Sequence, residues 1–210
     1  PGVFDEPDLN RQNGALMSTI GENKATATTR IMKDINPYME IKSWTKAAES
    51  REEIEEFIKG AAVVIDAIDY AGFGHKQLLH ACARANGQYI LSSPIPGFGA
   101  TLMVFSPDGM TMEEYYEAPS DPALYKDFIL SMDKLMPAEI IPSVYRDFEQ
   151  GRIGYISTNG ASAQLSGALA GLETALMITG KRKKADLVVI PEIIYVDLLN
   201  RSYATYNPAK

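Results

Sequence analysis

Cysteine, histidine and positive charge are all scarce in this sequence. Among 210 residues there is one cysteine, Cys82, and there are two histidines, His75 and His80. A lone thiol excludes an intrachain disulfide, and without paired CxxC motifs or a third histidine no zinc site is expected. Lys and Arg number 20 against 27 Asp and Glu, giving a formal net charge of −7. That balance offers no general attraction to nucleic acid or anionic lipid, so any bound phosphate must be held by local residues. A basic-plus-apolar leader is missing, and no apolar run approaches the ~18 residues of a membrane span. The longest candidate, residues 161–179, is interrupted by Ser, Gln, Glu and Thr and reads as a packed helix. These absences, with the single thiol, suit a cytoplasmic protein.

What remains has the composition of a soluble globular chain, with 46% hydrophobic and 22% charged residues. The length suits a single domain over residues 1–210. Residues 21–36 carry helical spacing ended by Pro37, and 39–44 alternate apolar and polar like a strand. Ser50-Arg51-Glu52-Glu53 reads as a capping box. The run Ala61-Ala62-Val63-Val64-Ile65-Asp66-Ala67-Ile68 reads as a parallel strand covered on both faces. A helix over 75–85, closed by Asn86-Gly87, and a strand at Tyr89-Ile90-Leu91 continue the alternation of an α/β fold. The sequence thus predicts a Rossmann-like, mostly parallel sheet with flanking helices. A mixed or antiparallel C-terminal part follows, built on residues 100–105, 188–190, 193–197 and 202–206. Residues 111–158, richer in acids, Tyr and Pro, read as an insertion or lid.

Ligands of doubly wound sheets bind beyond the carboxyl ends of the parallel strands, which places Asp69 at a site, although a helix-capping role is equally natural there. Arg11 and Lys24 are a complementary pair for phosphate, one a planar fork and the other a point charge, Lys24 standing in the opening turn of a helix. Cys82, inside the apolar pattern of its helix, reads as a buried inert thiol. The two histidines read as surface or packing residues. Tyr115, Tyr116 and Tyr125 fit either a partner surface or buried anchors. The run Lys181-Arg182-Lys183-Lys184 fits the end of a helix.

Taken in order, Asp8-Leu9-Asn10-Arg11-Gln12, Gly21-Glu22-Asn23-Lys24-Ala25, Asp34-Ile35-Asn36-Pro37 and Val64-Ile65-Asp66-Ala67-Ile68-Asp69 resemble the adenylating ThiF/MoeB/HesA family. Pro96-Gly97-Phe98-Gly99 resembles its later G-x-G crossover. The resemblance implies ATP-dependent adenylation of a carboxylate, commonly the C-terminal glycine of a ubiquitin-like or sulfur-carrier protein, with release of pyrophosphate, usually by a homodimer. It implies that Arg11 and Lys24 contact ATP phosphates, that Asn10 and Gln12 frame the site, and that Asp69 coordinates Mg²⁺. Tyr70 stands where that family commonly has Asn, and could stack on the base or pack. Asp8 also replaces an Asn, and a carboxylate there is unfavourable near phosphate unless it binds metal or turns away. The family's glycine-rich loop and ribose-binding acid would lie before Pro1, so on this resemblance the chain is N-terminally truncated and binds ATP weakly by itself. Two other readings are a non-catalytic half of a heterodimeric activating enzyme and a tRNA-modifying, carboxylate-activating relative; the acidic balance disfavours the second.

Overall fold

The computed structural model describes residues 2–208. Its first helix, α1 (Lys24–Ile35), is opened by Asn23, whose side chain accepts the Thr26 amide. Helix α2 (Arg51–Ile58) starts from the capping box of Ser50 and Glu53. Each cap satisfies amides that no intrahelical carbonyl can reach, which is why these boundaries are sharp. Strand β1 (Val63–Asp66), helix α3 (Phe73–Ala85) and strand β2 (Tyr89–Ser92) then form one βαβ unit in sequence order, β1 and β2 pairing in parallel with Val63 opposite Tyr89.

Three antiparallel pairings complete the sheet. Strand β3 (Gly99–Phe105) returns beside β2, and β4 (Ile193–Asp197) and β5 (Ser202–Tyr206) follow, giving the order β1-β2-β3-β4-β5. Both halves expected from the sequence are therefore present in one mixed sheet, with the parallel share confined to β1 and β2. Between β3 and β4 lie short helices α4 (Met112–Tyr116) and α5 (Ser143–Glu149) and the long α6 (Gly160–Ile178).

Side chains alternate across the sheet and so feed two apolar layers. On one face Val64, Ile90, Met103 and Phe105 meet Ile54, Phe73 and Leu79 from α2 and α3. Segment 111–158 completes this layer, burying Met112, Tyr115, Tyr116, Leu130, Met132, Leu135 and Tyr145. It forms no strand and supplies core side chains, so Tyr115 and Tyr116 are anchors. On the other face Leu91, Leu102 and Val104 lie under Leu169 and Met177 of α6. A small separate cluster of Phe4, Ala15 and Ala27 ties the N-terminal arm to α1.

Two expected strands are irregular. Residues 39–44 have the alternation but form no ladder; the Met39 carbonyl accepts from Lys33 Nζ and its amide donates to the Asn36 carbonyl at 3.2 Å. Residues 188–190 make one bond to the sheet, from the Ile190 amide to the Val104 carbonyl at 3.0 Å, before Pro191 removes the next donor.

At Gly99 the backbones of β3 and β4 approach so closely that a Cβ would lie 2.2 Å from the Val196 carbonyl oxygen and 2.8 Å from the Tyr195 hydroxyl. Gly99→Ala should therefore force β3 from β4 and cost roughly 1–3 kcal/mol of stability, read as a lowered melting temperature. An unchanged melting curve would contradict this account of the strand contact.

Candidate functional site

Loop 8–13 meets the start of α6, which in turn meets the segment that follows the carboxyl end of β2. Ser92 Oγ donates to the Asp66 carbonyl at 3.2 Å, joining the two strand ends. Asn159 caps α6 by accepting the Ser162 amide at 2.9 Å and donates to the Gly97 carbonyl at 3.2 Å. Tyr145 accepts the Gly97 amide, so loop 94–98 is held from both sides. The Asn10 amide donates to the Thr158 carbonyl at 3.1 Å, and a Cβ on Gly160 would lie 2.5 Å from the Asn10 carbonyl oxygen. Only glycine lets α6 begin this close to loop 8–13.

Within that loop one carboxylate gathers the residues singled out from the sequence. Asp8 Oδ2 lies 2.7 Å from Lys24 Nζ, and Asp8 Oδ1 accepts from Arg11 at 3.2 Å and from Gln12 at 2.5 Å. Arg11 is fixed further by the Pro7 carbonyl at 2.6 Å and Asn10 Oδ1 at 3.2 Å. Lys24 Nζ stands 5.5 Å from the Phe4 ring centroid, a cation–π distance. The Asp8 side chain is 5% exposed, while those of Arg11 and Lys24 are 30% and 33% exposed. The cations thus lie above a buried anion and retain outward donors. Burial would raise the Asp8 carboxyl, but the Lys24 hydrogen bond and the Asp5 amide outweigh it and hold its pKa below the ordinary value. Where the sequence offered metal binding or turning away, the structure sets the Asp8 carboxylate against the adjacent cations.

A second cluster follows β1. Asp66, with its side chain fully buried, forms an ion pair with Lys76 (2% exposed) and a 2.9 Å contact with His80 Nε2 (6% exposed). Asp66 Oδ1 also accepts the Ile68 amide at 3.0 Å, which folds the turn leading to Asp69. Burial would raise the Asp66 carboxyl, but the His80 hydrogen bond and the Lys76 charge prevail and lower it. For Lys76, burial prevails over the attraction of Asp66, and its pKa is lowered. Sequence reading missed this trio, although Lys76 and His80 stand four apart on one face of α3, the spacing that lets two helical side chains reach one carboxylate.

Asp69 is exposed, and its side chain caps the next turn by accepting the Ala71 amide at 3.2 Å. Tyr70 packs: its hydroxyl is 3.0 Å from that of Tyr116, its ring meets the Tyr116 ring edge-on, and Lys76 Nζ lies 4.9 Å from its centroid. A base-stacking role would require this contact to break. Among the described residues no hydrogen bond or ion pair joins Asp69 to Arg11 or Lys24, so the expected site residues form two groups. Cys82 is buried, and burial raises its thiol pKa. The basic run after α6 serves its end, with Arg182 bound to Glu173 at 2.8 and 3.1 Å.

No group of three or more His, Cys, Asp or Glu able to hold a metal exists among the described residues. A lone exposed carboxylate still suits Mg²⁺, which keeps several waters and is held by one or two carboxylates together with substrate phosphates. No helix among the described residues is long and apolar enough to cross a membrane.

A family model described as the ThiF family matches residues 2–206. No curated protein sequence matches significantly. Among solved structures, PaaA aligns with a TM-score of 0.64 at 13% identity, over 98% of this chain and 62% of that one. E. coli MccB with MccA-N7isoASN aligns with a TM-score of 0.68 at 12% identity, over 98% and 55%. E. coli MccB with ATP gives 0.64 at 10% identity, over 98% and 53%. At such identities the likeness concerns the fold, and the chain spans under two thirds of the length of these proteins.

Replacing Asp66 by Asn would strand Lys76 in the core, and breaking a buried pair in this way costs about 3–5 kcal/mol. Because the folded carboxyl titrates below its unfolded value, its contribution is present above about pH 4 and is lost as pH falls further. Acid melting curves should show that loss in the wild type and a smaller one in Asp66→Asn. Equal acid dependence in both proteins would contradict this assignment.

Proposed function

The chain belongs to the ThiF family, and from that premise we propose that it takes part in ATP-dependent adenylation of a carboxylate. The observation that carries the reading is the convergence of Arg11 and Lys24 on the single carboxylate of Asp8: two cations from separate elements already share one anion. A phosphate group has the same need, oxygens on one small centre met by a fork and a point charge. The position agrees, because loop 8–13 packs against the start of α6, beside the loop that follows the carboxyl end of β2, and ligands of open α/β sheets bind beyond such strand ends.

In this reading Arg11 and Lys24 receive the phosphates of ATP and the charge that grows at the α-phosphorus as the substrate carboxylate attacks and pyrophosphate leaves. Asn10 holds Arg11, and Gln12 holds the Asp8 carboxylate that lies between the cations. Asp69 holds Mg²⁺, which neutralises phosphate charge when bound. The Asp66–Lys76 pair fixes the turn from which Asp69 projects. Loop 94–98 and the start of α6 border the same space and would flank the entering carboxylate. The carboxylate-bearing partner is a peptide or protein C-terminus of the ubiquitin-like or sulfur-carrier kind, and the protein acts as a homodimer. E. coli MccB has been crystallised with AMPCPP and MccA together, which supports a nucleotide bound beside a second partner.

ATP–pyrophosphate exchange in the presence of a candidate acceptor tests the proposal. Exchange should occur and should fall by about 10²-fold or more in Lys24→Ala and in Asp69→Ala, the scale expected when one electrostatic contact to the transition state is removed. Exchange that survives both substitutions unchanged would sink the assignment of these residues.

A further inference from the structure

Asp8 stands where the ligand's own charge would be felt. Its two oxygens divide between the two cations, Oδ1 to Arg11 at 3.2 Å and Oδ2 to Lys24 at 2.7 Å, as two oxygens of a bound phosphate group would. The carboxylate is held from behind as well, by the Asp5 amide at 3.3 Å and by Gln12. Being nearly buried, it has little water to replace these partners, so it stays charged and in place.

Given the adenylation reading, on which this rests, we propose that Asp8 is an internal counter-anion that sets how tightly the Arg11–Lys24 site binds polyphosphate. Without Asp8 an incoming anion would meet two full positive charges. With it, the anion meets one net charge and must share both cations with a carboxylate that is already in contact with them. Arg11 is further committed to the Pro7 carbonyl and Asn10 Oδ1, so it cannot swing wholly away from Asp8 to follow a ligand. A like charge within several ångströms of the bound phosphate lowers affinity on the order of tenfold at the effective dielectric of a protein surface. Asp8 thus makes charge alone insufficient: a simple anion is held weakly, and a ligand that makes further contacts is favoured over it. The same carboxylate recaptures the cations when pyrophosphate departs.

Asp8→Asn tests this, because the amide keeps the shape and an acceptor oxygen for the cations while removing the charge. Calorimetric titration of the protein with sodium tripolyphosphate, which has phosphates but no base, should show affinity about tenfold tighter in Asp8→Asn than in wild type. The gain should disappear when Lys24→Ala and Arg11→Ala are added. Equal or weaker binding in a folded Asp8→Asn protein overturns the proposal, as does the absence of measurable binding in both proteins. Should the variant fail to fold, the carboxyl-carbon resonance of Asp8 in the wild type decides: it must shift on saturation with tripolyphosphate, and a resonance unmoved while binding occurs overturns the idea. Tightened tripolyphosphate binding without any ATP–pyrophosphate exchange would defeat the adenylation reading and leave this one intact.

Discussion

The buried charge of Asp66 is the constraint around which the parallel half of the molecule is arranged. A carboxylate with no exposed surface needs partners in fixed places, and α3 supplies them as Lys76 and His80. Those two contacts set how α3 lies on β1. The remaining oxygen takes the Ile68 amide, which decides how the chain leaves the strand and where Asp69 points. Lys76 in turn passes beneath the Tyr70 ring, and Tyr70 meets Tyr116 from segment 111–158. One ionic group therefore links a strand, a helix, a site loop and the segment between β3 and β4.

The opposite side of the site is organised by close approach instead of charge. Gly160 lets α6 start against the Asn10 carbonyl, and Asn159 holds both its helix and the Gly97 loop. Residues far apart in sequence are thereby brought to the ends of the same two strands. Asp8 fixes Arg11 of its own loop and Lys24 at the start of α1 in one place. A scaffold of short-range polar contacts thus holds this side of the site.

Much of this is legible in the amino-acid sequence alone. Caps and apolar spacing located α1, α2, α3 and α6, because helix ends and amphipathic faces are determined locally. The apolar run ending at Asp66 located β1, and β4 and β5 followed their own alternation. Residues 39–44 show the same alternation without a strand, since pairing depends on a neighbour that local sequence does not describe. The partners of Asp66 lie 10 and 14 residues away, at a helical spacing that marks a shared face but not what that face meets. Asp8 drew notice as a departure from a family pattern. Its reconciliation with the adjacent cations required the tertiary arrangement. Tyr70, open from sequence between stacking and packing, meets a neighbouring phenol in the fold.

Trp44, the chain's only tryptophan, lies in the irregular stretch after α1, with its ring 5.4 Å from Phe57 and edge-on to it. Among the described residues its ring contact is with Phe57 and with none of the buried tyrosines. Intrinsic fluorescence therefore watches the margin of the molecule, and its unfolding signal follows the release of Trp44 from α2. The ionic centre and the sheet behind it must be followed by circular dichroism or tyrosine absorbance, and a mismatch between the two signals would measure how loosely that margin is coupled to the core.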